Sequence, residues 1–367
     1  MKRLLCIISG MNSGGAETFL MKVYRKIDKR KYQFDFCVNI FEKGFYDDEI
    51  NLLGGRIYHI PSKSSNYLKY KKELSNIIKS NNYKYVLRIT SNSMGFLDLK
   101  IAKRAGATVC VARSSNSNDA EGALAKIMHF IGRIFYGKYV DVKIAPSDLA
   151  AIYTFGQKSW DKGEVVLLKN AVDTDVYFYD VFKRNAIRHQ LSINDDTVLI
   201  GHIGRFSKQK NHLYLIDVFK KVLEKEPNSK LILIGTGELV SKIKQYVINS
   251  GISDLVLFMG VRNDIPALLS AMDILVMPSL YEGMPNTVIE AQATSLPCVI
   301  SDSITRLADI TGLVKYVSLS DSKLMWAETI LEMINTTRKS RKTDLQVAGY
   351  DINQMVTRFT ETIFDRG

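Results

Sequence analysis

Ile274-Leu275-Val276-Met277-Pro278-Ser279-Leu280-Tyr281-Glu282-Gly283-Met284-Pro285-Asn286-Thr287-Val288-Ile289-Glu290 passes from four apolar residues, through a loop punctuated by proline and glycine, into a segment of helical spacing. A short apolar run followed by a turn and a helix is one strand–loop–helix unit, with the strand buried on both faces. Pro285 suits the first helical turn, where its missing N–H costs nothing. The amides from Gly283 to Thr287 then point out of the helix N-terminus, where an anion is favoured.

The same unit repeats along the chain. In the first half, strands are predicted at Leu4–Ser9, Phe34–Asn39, Arg56–Ile60, Tyr85–Ile89, Thr108–Ala112, Val142–Ala145 and Val165–Leu168. Helices fit between them at Ala16–Ile27, Tyr70–Ser80, Gly95–Ala105 and Gly122–Tyr136. In the second half, strands at Val198–His202, Lys230–Ile234, Val256–Met259, Ile274–Met277 and Cys298–Ser301 alternate with helices near His212–Lys225, Leu239–Ser250 and Asn286–Thr294. This is the α/β pattern of doubly wound parallel sheets. A length of 367 residues accommodates two such domains. The expected division is an N-terminal domain over 1–170, a polar, weakly periodic linker over 171–194, a second domain over 195–348, and a C-terminal segment over 349–367. The last segment carries an amphipathic helix near Asn353–Asp365 that could pack on either half. Ligands of open α/β sheets bind at the carboxyl ends of the strands, so the chemistry is sought there.

Gly201-His202-Ile203-Gly204-Arg205-Phe206-Ser207-Lys208-Gln209-Lys210-Asn211 follows one such strand. Its glycines allow close backbone approach, and Arg205 and Lys210 place two cations where a pyrophosphate leaving group would need compensation. A turn with solvated basic residues explains the segment equally well in isolation. Gly235-Thr236-Gly237-Glu238 reads as a tight strand-to-helix turn, since Val240 occupies the third glycine position of a dinucleotide fingerprint. Glu282 lies in the loop and Glu290 more than a turn inside the helix, so they face different parts of an elongated ligand. Glu290 can accept from both hydroxyls of a ribose, and Glu282 can engage hydroxyls of a sugar.

Composition excludes several classes. With 46% hydrophobic and 24% charged residues the chain is an ordinary globular one. Cys6, Cys37, Cys110 and Cys298 form no CxxC pair, which indicates neither a zinc site nor a disulfide framework and fits a reducing, cytoplasmic setting. No run approaches the ~18 apolar residues of a spanning helix, and the start reads as a buried strand rather than a secretory signal. Residues 1–170 carry 28 Lys and Arg against 15 Asp and Glu, whereas 171–367 carry 22 against 23. Charge alone favours a solvated surface for this basic half; the sharper reading is attraction to an anionic partner. Lys22, Arg25, Lys26, Lys29, Arg30 and Lys31 form one local cluster, and Lys69, Lys71, Lys72 and Lys79 another. A nucleic-acid partner is not indicated, because no reading module or aromatic platform accompanies the charge.

Taken together the motifs resemble those of retaining glycosyltransferases of family 4, which have the GT-B fold of two Rossmann-like domains. Glu282 and Glu290, with seven residues between them, look like the family's E-x7-E motif. Gly204-Arg205-Phe206 with Lys210-Asn211 resembles its donor-phosphate motif, Asn12-Ser13-Gly14-Gly15-Ala16-Glu17 its N-terminal glycine loop, and Asn170-Ala171-Val172-Asp173 its step into the interdomain linker. The likeness is strongest to the bacterial exopolysaccharide and capsular polysaccharide branch, judged by His202–Phe206, Gln209-Lys210-Asn211-His212 and Glu290-Ala291-Gln292.

The resemblance implies a metal-independent enzyme, without cofactor, that moves a hexosyl group from a nucleotide diphosphate sugar to a saccharide acceptor on a lipid pyrophosphate. It implies that Arg205 and Lys210 bind the diphosphate, that Glu290 holds the ribose, and that Glu282 orients the donor sugar with Gly283, Met284, Pro285, Asn286 and Thr287. Gly204, Gly14 and Gly15 would let backbone approach the donor. An anionic inner membrane surface would then be a partner of the basic half. Where many relatives carry a histidine-rich stretch, this chain has Arg113-Ser114-Ser115-Asn116, so no catalytic histidine is assigned; Arg113 or Asn116 would contact acceptor or donor. His59 and His129 read as surface or core residues. The alternatives are a nucleotide-sugar epimerase and a non-catalytic nucleotide-sugar binding protein on the same fold. Asp173-Thr174-Asp175 is the DxD pattern of metal-dependent transferases of a different fold, but its place at the linker makes it a turn.

Overall fold

The computed structural model describes residues 1–12, 14–115 and 123–365. The chain forms two compact units, Met1–Ala171 together with Ile352–Gly367, and Val172–Asp351.

In the first unit, β1 (Lys2–Ile7), β2 (Tyr32–Val38), β3 (Ile57–His59), β4 (Tyr85–Thr90), β5 (Val109–Ser114), β6 (Val142–Ala145) and β7 (Val165–Leu167) make an all-parallel sheet in the order 3-2-1-4-5-6-7. Alternation along β1 separates its two covered faces. Leu4 and Cys6 pack with Phe19, Leu20 and Phe34, whereas Leu5 and Ile7 pack with Tyr70, Leu74 and Val86. The final helix, Ile352–Phe364, closes the first of these cores with Met355, Phe359 and Ile363. Asp35, fully buried on β2, is neutralised by Arg3 at 2.6 Å and accepts the Tyr83 hydroxyl at 2.6 Å. That pairing is what a charge buried beside a core requires.

In the second unit, β8 (Val198–Ile203), β9 (Ser229–Ile234), β10 (Val256–Phe258), β11 (Ile274–Met277), β12 (Cys298–Ser301) and β13 (Val314–Val317) form a parallel sheet in the order 10-9-8-11-12-13. The direction of strand addition reverses between β8 and β11, which pair through Ile274 and Ile200. This is the switch point of a doubly wound sheet, where the loops leaving the two strands diverge and leave room for a ligand. The loops in question are Gly204–Asn211 and Pro278–Pro285.

Two expectations need correction. The stretch taken as a linker is largely part of the second unit and contains the helix Val181–Gln190. Arg184 and Arg188 of that helix reach Asp273 at 2.8 and 3.3 Å, and Arg188 also donates to the carbonyl of Ala271. A helix that docks through arginines, with Ile187 as its one buried apolar residue, shows no apolar stripe to read. Pro285 is also not inside the helix Asn286–Ala293 but caps it, with its carbonyl accepting from Val288 at 3.0 Å. β13 and the helices Ile265–Ala271, Lys323–Met333 and Lys342–Val347 belong to the second unit beyond the elements expected.

Candidate active site

The two loops at the β8–β11 switch point are joined by backbone and side chain. Leu280 N–H donates to the Gln209 carbonyl at 2.8 Å, and the Gln209 amide donates to the Tyr281 carbonyl at 2.9 Å. Lys210 Nζ then meets Glu282 Oε1 at 2.6 Å, with the two side chains only 15% and 12% exposed. A pair this sheltered is weakly screened and fixes both groups. Two glycines pack closely around it. A Cβ on Gly204 would come within 3.0 Å of the Lys210 chain, and one on Gly235, where φ is +135°, would lie 2.1 Å from the Gly204 carbonyl. The Gly235–Gly237 turn therefore supports the Gly204–Phe206 backbone from behind, with Phe206 N–H donating to Thr236 at 3.0 Å.

Arg205 is placed differently. Its side chain is 74% exposed and lies 3.2 Å from Glu238 Oε2, a surface pair of small energetic weight. Both candidate phosphate cations thus carry carboxylate partners, and Glu282 is the counter-ion of Lys210. The helix Asn286–Ala293 starts just beyond Glu282, so the amides of Asn286 and Thr287 precede its first intrahelical bond and point outward from its N-terminus. Glu290 is half-buried in the second turn.

Three supports were quoted in the motifs without a role. His202 is buried under Gly204, its Nδ1 is 2.8 Å from the Val276 carbonyl, and it meets the ring of His212 edge-on at 4.6 Å. His212 stacks on Phe206 at 4.3 Å. Burial holds both imidazoles neutral, drawing His202 well below its ordinary value and His212 down to about 4. Gln292, fully buried, fills its hydrogen-bonding capacity: Nε2 donates to Ala308 and Val288, and Oε1 accepts from Ile310 and Thr311. It fixes the helix bearing Glu290 to the following segment. A polar residue two positions after Glu290 on a buried helix was the only sequence sign of this.

The first unit holds the remaining candidates. Gly14 precedes the helix Gly15–Lys26, its carbonyl accepting from Thr18 at 2.9 Å; a Cβ there would meet the Glu17 carboxylate at 2.3 Å. Arg113, at the end of β5, is 2% exposed and is not presented to a ligand as expected. Its guanidinium lies 3.6 Å over the Phe19 ring and donates to Asn170 Oδ1 at 2.7 Å, and burial lowers its pKa to about 9. Asn116 and Ser13 fall outside the described residues. His129 is a core residue, accepting from the Ser93 amide at 3.1 Å, and His59 is exposed. In the Asp173-Thr174-Asp175 turn, Asp175 pairs with Lys342 at 2.6 Å.

Two doubly wound parallel sheets in one chain are the architecture of the GT-B glycosyltransferases. HepE from Anabaena, solved with UDP-glucose, has this fold, with a TM-score of 0.78, 18% identity and 99% of each chain covered. Residues 183–344 match the family model described as glycosyl transferases group 1. The putative glycosyltransferase EpsF of Bacillus subtilis strain 168 is 37% identical over 363 residues, 97% of this chain and 94% of its own. The UDP-Gal:alpha-D-GlcNAc-diphosphoundecaprenol alpha-1,3-galactosyltransferase of Escherichia coli is 27% identical over 285 residues, 74% of this chain and 72% of its own. The chain belongs to the group 1 glycosyltransferase family, on its bacterial polysaccharide biosynthesis branch.

Proposed function

We propose that this glycosyltransferase moves a hexosyl group from a nucleotide diphosphate sugar to a hydroxyl of a lipid-pyrophosphate-linked saccharide, with retention of anomeric configuration and without a metal. The observation that carries the reading is the Lys210–Glu282 pair, held between two stitched loops beside the N-terminus of the helix Asn286–Ala293. An arriving diphosphate brings negative charge to that ammonium and those amides, and releases Glu282 to accept from sugar hydroxyls. Glu290, a turn further along, takes the ribose hydroxyls. Exposed Arg205 swings from Glu238 to the phosphate. The E. coli relative, named for a diphosphoundecaprenol acceptor, and HepE, solved with UDP-glucose, support a lipid-linked acceptor and a UDP-hexose donor respectively.

Chemically, the bond from the anomeric carbon to the diphosphate oxygen breaks, and the acceptor oxygen bonds to that carbon from the same face. The acceptor proton passes to the departing phosphate oxygen. The protein then contributes position and charge rather than a nucleophile. Lys210 would stabilise the charge that develops on the leaving group. Removing one such donor costs about 10²–10³ in rate, so Lys210→Ala is expected to lower kcat by that order. The test is release of UDP from UDP-hexoses coupled to elongation of a saccharide acceptor, in buffer with EDTA. Near-wild-type transfer by Lys210→Ala would refute the phosphate assignment. Loss of activity in EDTA, restored by a divalent cation, would refute the metal-free mechanism.

A further inference from the structure

Arg88 interrupts the apolar run of β4, a central strand of the first sheet. Alternation puts it on the face of Val86, the side covered by the helices Tyr67–Ser80 and Phe96–Ala105. Asp98 of the second helix meets it there, fully buried, with Arg88 Nε 3.1 Å from Oδ2. Lys63, four residues beyond β3, reaches the same carboxylate, Nζ donating to both oxygens at 2.9 Å. One carboxylate thus serves two cations. Among the described residues neither cation pairs with another; Glu73, on the helix Tyr67–Ser80, lies 3.9 Å from Lys69.

A tie between this loop and this helix needs only one cation. The second leaves a net positive charge in a sheltered place, which is unfavourable until an anion completes it. The N-terminus of Phe96–Ala105, whose first turn holds Asp98, adds to the positive potential. Burial lowers the pKa of the Lys63 ammonium; Asp98 opposes that shift and Arg88 adds to it. The Arg88 guanidinium makes no hydrogen bond to the protein among the described residues, so its terminal fork, which fits two oxygens of one oxyanion, is unused. The side chains of Arg88 and Lys63 are 13% and 29% exposed, sheltered yet open to a ligand. The loop bearing Lys63 is fixed in advance. Asn39 Nδ2 donates to the carbonyls of Ile60 and Pro61 at 3.4 and 3.3 Å, and Ser65 Oγ donates to the Ser62 carbonyl at 3.0 Å. Both cations lie toward the carboxyl ends of their strands. The first sheet reverses its direction of strand addition between β1 and β4, and Arg88 is two residues from the end of β4. That edge is where doubly wound sheets take ligands.

We propose that Lys63 and Arg88 form an oxyanion subsite of the first unit that takes a phosphate or carboxylate carried by the saccharide acceptor, with Asp98 as the counter-ion that holds both cations in position. The inference rests on the acceptor chemistry proposed above and deepens it. Two sources carry the same chemistry: the pyrophosphate that joins a saccharide to its lipid, and the carboxylate of an acidic sugar. Either would be gripped by the guanidinium fork and the ammonium together. Anchoring that anion fixes where the acceptor's reacting hydroxyl lies, so the two residues act by positioning.

The experiment is isothermal titration of the full chain, saturated with UDP so that the donor site is filled, with phenyl phosphate, phenyl glucuronide and the neutral phenyl glucoside. Wild-type protein is expected to bind at least one of the anions about tenfold more tightly than the glucoside, with the difference shrinking as salt is added. Lys63→Gln and Arg88→Gln should each weaken the anion about tenfold, the loss of one charge-assisted hydrogen bond, and leave the affinities for glucoside and UDP unchanged. A cooperative thermal melt shows that each variant folds; if Arg88→Gln does not, Lys63→Gln, at the more exposed position, decides alone. Preference for phenyl phosphate assigns the lipid pyrophosphate as the source, and preference for phenyl glucuronide an acidic sugar; either supports the subsite. Affinity for the anions no greater than for the glucoside, or undiminished anion binding by Lys63→Gln, overturns the proposal. Anion binding that depends on both cations, in a protein that transfers hexose to no acceptor, would instead sink the functional reading and leave this subsite standing.

Discussion

Lys210 and Glu282 are 72 positions apart and meet because β8 and β11 are neighbours in the sheet; each was legible as a residue type at a strand end, but their pairing was not. Their coupling gives a prediction that single-residue reasoning would miss. Glu282→Gln leaves Lys210 without its sheltered counter-ion, so the free protein should bind UDP as tightly as wild type or more tightly while kcat falls. Isothermal titration with UDP, set beside kcat, separates these effects, and equal losses in both would argue against the exchange of partners. His212 supplies a second test. Its folded pKa, about 4, lies below the ordinary 6.5, so the unfolded chain binds the proton first. The associated stability is present above pH 6.5 and is lost as pH falls toward 4, by about 2 kcal/mol between pH 6.5 and 5. His212→Phe keeps the stack on Phe206 and should flatten the fall in Tm over that window; an unchanged slope would place the titration elsewhere.

Strands were the easiest elements to read, because four to seven apolar and β-branched residues between turns admit few other readings when both faces are covered. β1, β4, β6, β8, β9, β11 and β12 fall within two residues of their expected bounds. β13, Val314-Lys315-Tyr316-Val317, escaped because an edge strand carries an exposed lysine and offers a short signal. Val181–Gln190 escaped because its docking is ionic, and the active-site supports escaped because Gln292 and His202 act through backbone partners distant in sequence. The Gly235 turn was legible as a turn, yet its demand for glycine comes from the Gly204 carbonyl of a neighbouring loop. Gly235→Ala combines a positive φ with that clash, and should lower stability by more than about 1 kcal/mol in urea denaturation while also weakening UDP binding. A variant as stable as wild type would show that the loop can yield.

The two units each keep a complete sheet and core, but the chain does not divide into them at one point. The last helix, Ile352–Phe364, returns to the first unit and buries Met355, Phe359, Ile363 and Phe364 there, with Phe359 against Phe19 and Phe34. Each such side chain contributes about 1.5–3 kcal/mol of burial. Truncation after Asp351 should therefore lower the melting temperature of the first unit while a UDP-stabilised transition of the second survives. A single unshifted transition would contradict that division of the core. The basic excess also belongs to the first unit, which composition disclosed; that two of its cations, Lys63 and Arg88, share the one carboxylate of Asp98 required the fold, because the three stand on different elements.

All four cysteines are buried, and burial raises every one of their thiols above the ordinary value, Cys37 and Cys110 to about 12. The thiolate is the nucleophile that adds to a maleimide, so at neutral pH the buried, protonated thiols of the native protein are close to inert toward such reagents. A cysteine introduced at an exposed position would consequently be tagged alone, without first stripping the chain of its own sulfur, and a polarity-sensitive fluorophore placed at position 64, next to Lys63, would report the wetting of that spot directly.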